Sequence, residues 1–126
     1  MCQDVIMVTQ LGDYQYLAYC EHQTIHLGWG YGLFHLRPSD FLRLARLLDR
    51  WLAQPALTAI RDQGYCCLVG QTNGCYQLWL GDTALFLTEP ELSRLVELIR
   101  LAIPHVSHLL SDQPYNQKYT QGGMSL

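Results

Sequence analysis

Four residues in the first third of the chain could hold a metal ion or a ligand: Cys20, His22, His26 and His35. Thiolate and imidazole are the donors that zinc and copper take. Cys20 and His22 are separated by one residue. His26 and His35 fall opposite each other if Gly30–Tyr31 closes a two-residue hairpin. No C-x-x-C pair accompanies them, and Glu21 is the nearest carboxylate. The four are thus candidates for a metal, a haem or another small ligand, while no cofactor is expected. Without one, the histidines make a polar pair on a sheet face. Two opposed imidazolium ions repel, so such a pair would make association depend on pH.

Other reactive residues give less. Cys66 and Cys67 are adjacent in a strand pattern and point to opposite faces, which is no redox arrangement. His105 and His108 stand three apart near the end of a helix, where histidines are favourable without further purpose. Gly28–Trp29–Gly30–Tyr31–Gly32 resembles a phosphate loop in composition only, because it lies inside a hairpin and does not open onto a helix. No nucleophile motif, P-loop or dinucleotide fingerprint occurs, and no catalytic residue is assigned.

The elements that would position these residues are organised by an internal repeat. Leu27-Gly28-Trp29-Gly30, Leu36, Arg43 and Leu44 return as Leu78-Trp79-Leu80-Gly81, Leu87, Arg94 and Leu95. A repeat present twice predicts a pseudo-twofold domain and not a solenoid. Each unit reads as strand, hairpin and helix, with hairpin turns at Gly30–Tyr31 and Gly81–Asp82 and earlier strands at 14–20 and 65–70. Val5–Val8 adds a strand at the N-terminus. Phe41, Leu44, Leu48, Trp51 and Leu52 make the stripe of the first helix, with Ser39 as N-cap. Leu92, Leu95, Ile99 and Ala102 make that of the second, with Thr88 and Glu91 as a capping box. Pro104 is expected to interrupt this helix, with a short helical extension through Val106–Leu110 beyond it.

The expected fold is α+β: two pseudo-symmetric strand–strand–strand–helix units forming one antiparallel sheet, with both helices on one face. The domain spans 1–111, with units at about 14–54 and 65–103, and 112–126 form a flexible tail.

The hairpins assign faces. Leu27 with Phe34, Ile25 with Leu36, Leu78 with Leu85 and Tyr76 with Leu87 share the helix side, since opposed residues share a face. The other side carries His26, His35, Gly28, Leu33, Gln77, Phe86, Trp79 and Ala84, none formally charged. A sheet face in water should be polar. Only 15% of the residues are charged, against about 25% in an ordinary soluble domain. Both observations predict an apolar surface that meets a partner.

Net charge is −3 with a single lysine, Lys118, so nucleic acid and anionic lipid are not expected partners. No export signal or membrane-length apolar run is visible, and an odd count of five cysteines predicts reduced thiols in the cytoplasm. The reading is a non-enzymatic interaction protein, an accessory, assembly or regulatory subunit. It would bind a protein partner or itself through Trp79, Phe86, Leu33, His26 and His35. The arginine stripe Arg43, Arg46 and Arg50 is a secondary docking candidate. A small-ligand, metal or haem module using His26 and His35 is the alternative, and an enzyme comes third.

Overall fold

The computed structural model describes residues 3–55, 58–62, 65–71 and 73–111, except the side chains of 62 and 108–111. The elements run β1 (Val5–Gly12), β2 (Gln15–Cys20), β3 (Ile25–Trp29), β4 (Gly32–Leu36) and α1 (Pro38–Ala53). They continue as β5 (Ala59–Asp62), β6 (Cys66–Gly70), β7 (Cys75–Leu80), β8 (Thr83–Thr88) and α2 (Glu89–Ser111). The fold is α+β, with two corrections to the expected arrangement. The strands form two separate antiparallel sheets, β1-β2-β3-β4 and β5-β6-β7-β8, rather than one. Each unit has four strands before its helix, not three, because β1 extends to Gly12 and Ala59–Asp62 adds an unforeseen strand. The tail expected over 112–126 lies outside the described residues.

The units correspond at an offset of 51 residues down to single hydrogen bonds. Gly30 N–H donates to the Tyr14 carbonyl at 2.8 Å, and Gly81 N–H to that of Tyr65 at 2.7 Å. Cys20 N–H donates to Thr24 O, as Gln71 N–H does to Cys75 O. Thr9 pairs with Leu17 and Ile60 with Leu68, so β5 matches the second half of β1. Gly30 and Gly81 have φ of +63° and +67°, while Tyr31 and Asp82 stay negative, as a type II′ turn requires.

The helices explain why one stripe of apolar residues was too narrow an expectation. α1 packs on β5 and β6 of the other unit and more lightly on its own β4. α2 packs on β1 and β2 as well as on β7 and β8. The helices therefore do not share one face of one sheet; they lie against the inner faces of two. Each must bury a wide arc, and Leu47 and Leu98, again 51 apart, join the expected residues with no exposed surface. The expected Leu52 is instead on the exposed side. Asp49 and Arg100, also equivalent positions, pair with each other at 3.3 Å. The helix–helix contact thus brings matching positions of the two units together. Further ties cross between units: Arg94 donates two bonds to Gln15 Oε1 at 3.0 and 2.8 Å, and Arg50 donates to the Arg61 carbonyl at 2.8 Å. One apolar cluster joins both units.

The helix ends differ in chemistry. Thr88 and Glu91 form the expected capping box, Thr88 N–H donating to Oε1 at 2.8 Å and Glu91 N–H to Oγ1 at 3.4 Å. At α1 the N-cap is Arg37 and not Ser39, without a side-chain cap bond. Pro38 occupies the first helical position, where its fixed φ suits the helix. α2 also runs through Pro104 without ending. The proline forfeits the bond to the Arg100 carbonyl, yet Val106 beyond it is buried and anchors the continuation.

Candidate functional site

Strand register places the candidate residues on the outer faces of two different sheets. On the first, His26 opposes His35, Ala18 opposes His26, and Tyr16 opposes Gly28, which in turn opposes Leu33. The two imidazoles stand edge to face, with ring centroids 4.7 Å apart. Cys20 follows Ala18 by two residues and opposes Val5, so it lies on this same outer side, yet it is buried. An open groove of about 760 Å³ runs over this face, with His22, His26 and His35 in its lining and Ala18 at its floor.

Beside His22 in the groove lining, β2 ends at Cys20 and the turn to β3 carries Glu21 and His22. Their ligand atoms all lie within 4.8 Å of one another. Glu21 Oε1 accepts from Gln3 N–H at 2.8 Å and Oε2 from Asp4 N–H at 2.9 Å. These two bonds hold its carboxyl below the usual carboxylate range, with a smaller contribution from His22. His22 Nδ1 stands 3.6 Å from Glu21 Oε1.

On the second sheet, Trp79 lies between Cys67 and Ala84, and Gln77 between Val69 and Phe86. Val69 therefore faces outward with Gln77. Phe86 is 69% exposed and Trp79 37%. Trp79 Nε1–H donates to Gln77 Oε1 at 3.3 Å, which turns the indole along the sheet surface. The structure thus separates the expected face into a histidine-lined groove with Leu33 and an aromatic pair.

The outer faces keep their bulk by opposite assignments. Tyr16 covers Gly28 in the first sheet, and a Cβ on Gly28 would collide with the tyrosine ring. At the equivalent pair in the second sheet the small residue is Cys67 and the large one Trp79.

The remaining candidates are dispersed. Cys66 is buried on the helix side and Cys67 is half-buried on the outer side. Arg46 and Arg50 are exposed and Arg43 half-buried, and Arg50 is engaged with β5. His105 is exposed at the far end of α2, while the side chain of His108 lies outside the described residues.

Sequence reasoning missed one polar group. Asp40 is buried, 5% exposed, in the first turn of α1. Its carboxylate accepts from Arg37 Nε at 2.8 Å and Nη2 at 3.2 Å. The helix N-terminus also favours a negative charge there. The signal was available: Asp40 stands 51 residues before Glu91, the capping residue of α2.

Tyr65 feels this carboxylate. Its phenol is pushed up from 10.0 to about 12, first by burial, then by Asp40 and Cys66, against a smaller opposing effect of Arg37. Below pH 10 the phenol is neutral in both folded and unfolded chains. Between pH 10 and 12 the unfolded chain sheds this proton while the folded one keeps it, so stability falls through that window. Denaturant midpoints measured from pH 9 to about 12 are expected to decline less steeply in Tyr65→Phe than in the parent. Parallel declines would show that Tyr65 titrates freely.

Comparison with protein-family models, with curated proteins and with solved structures returns no match for this chain. Among the described residues no helix is long and apolar enough to cross a membrane.

Proposed function

We propose that the protein is a non-enzymatic interaction protein, an accessory, assembly or regulatory subunit, that docks a protein partner through the outer face of its second sheet. The observation that carries this reading is the exposed pair Trp79 and Phe86, beside Gln77 and Ala84, with no formal charge on the β7–β8 part of that face. Aromatic side chains in such a setting are the usual anchors of binding, contributing about 2 kcal/mol or more each. Leu33, 51% exposed, offers a further apolar contact on the first sheet, beside His26 and His35. The described cysteines, on both sheets, form no disulfide, which supports a reducing compartment, the cytoplasm.

The test is the double variant Trp79→Ser, Phe86→Ser. Circular dichroism is expected to show an intact fold, because the helix-side core is untouched. Sedimentation of the purified chain and co-purification from its native cells are expected to show association lost. Retained association in a folded variant would remove this face from consideration and leave Arg43, Arg46 and Arg50 as the next surface. Unfolding would show that the two aromatic residues stabilise the fold from the outer face, which counts against a surface kept for docking.

A further inference from the structure

We propose that Cys20, Glu21 and His22 bind a divalent transition-metal ion of the zinc class beside the histidine-lined groove. Three kinds of donor, sulfur, oxygen and imidazole nitrogen, stand on consecutive residues with their ligand atoms within 4.8 Å of one another. A tetrahedral ion with bonds of about 2.0–2.3 Å would draw such donors together by small side-chain rotations. The thiol excludes the hard cations calcium and magnesium, which take oxygen ligands.

The internal repeat shows that the fold does not require this donor set. In the first unit the turn is closed by Gln23 N–H donating to the Cys20 carbonyl at 3.0 Å. In the second, Gly74 N–H donates to the Gln71 carbonyl at 3.2 Å in the same way. Gln23 and Gly74 both have positive φ, +59° and +81°. At the positions of Cys20 and His22 the second unit has Gln71 and Asn73. The backbone is thus built equally well without a thiol or an imidazole, and the first unit alone gathers both.

The surroundings complete the case. Two backbone N–H groups, from Gln3 and Asp4, orient the Glu21 carboxylate. Each oxygen accepts one of these bonds and keeps a lone pair for a metal. Such fixed outer contacts are what orient carboxylate ligands in metal sites. His22 shares the groove with His26 and His35, so three of the five histidines of the chain lie on this one surface. An ion held by three protein ligands keeps an open position for a further ligand.

The test uses the full chain, stripped of metal by a chelator and titrated with Co²⁺ and then Zn²⁺. Cobalt is expected to give a thiolate charge-transfer band in the near ultraviolet together with visible bands of tetrahedral intensity, both abolished by stoichiometric zinc. Cys20→Ala is expected to remove the charge-transfer band. His22→Gln and Cys20→Ala are each expected to weaken zinc binding at least as much as loss of an outer contact does, by about 10–100-fold. Absence of the band in the parent, or its survival in Cys20→Ala, overturns the assignment. If Cys20→Ala does not fold, the exposed variant His22→Gln decides: unchanged zinc affinity overturns the site. The docking variant Trp79→Ser, Phe86→Ser leaves all three ligands in place and is expected to bind cobalt as the parent does, so the two proposals fail separately.

Discussion

Cutting the chain between its units, after Pro55, is expected to leave neither half with a native monomeric fold, and mixing the halves is expected to restore it. Each half contains a complete sheet and a helix, yet α1 rests chiefly on β5 and β6, and α2 is the helix that covers β1 and β2. Freed from its partner, the first half would expose leucines such as Leu17, Leu44, Leu47 and Leu48, all essentially inaccessible in the intact chain. Burying one such side chain is worth about 1.5–3 kcal/mol, while a whole domain is stable by about 5–15 kcal/mol. Several losses of this kind exceed the total. Far-UV circular dichroism and size exclusion of fragments 1–55 and 56–126, alone and mixed, check the expectation. A single fragment that is monomeric and melts cooperatively would mean that the units are independent.

Leu95→Ala is expected to destabilise the protein by about 2–5 kcal/mol. Leu95 has no exposed surface and sits in the cluster that includes residues of both sheets. Truncation removes its transfer free energy and leaves a cavity where helix and sheet side chains converge. Leu44, 51 residues earlier and equally buried, is expected to behave alike. Urea midpoints of the two variants report the loss. A parent-like midpoint for Leu95→Ala would show that this side of α2 does not face the core.

What could be read from the sequence was local. The hairpins at Gly30 and Gly81, the capping box at Thr88 and Glu91, and the His26–His35 pair follow from turn chemistry and the two-residue period of strands. The division into two sheets did not follow, because alternation along a strand tells which face is buried but not which strand lies at an edge. Ala59–Asp62 was illegible for a related reason: its four residues include Arg61 and Asp62 and are too few to show a period. The exchange of helices was hidden too. It is visible only in the extra buried flank at Leu47 and Leu98, which reads as an ordinary leucine-rich helix until the second sheet is known. At the site, Cys20 could not be placed because its face depends on the length of the turn between β2 and β3, and one residue more or less reverses it.

The opposite assignments of bulk at Tyr16–Gly28 and Cys67–Trp79 constrain how such a chain can change. To convert the first arrangement into the second, a large residue must arrive at position 28 and leave position 16. Taken first, the arrival collides with the tyrosine ring that already lies over Gly28. Taken first, the departure uncovers the strand backbone at Gly28, which is now buried. The two positions are epistatic: each residue is tolerable only in the company of the other, and the effects of single changes will not add. A lineage that altered this face one codon at a time would have to cross a less stable intermediate. Pairs in direct register across two neighbouring strands are therefore where descendants of this chain should be expected to vary together or not at all.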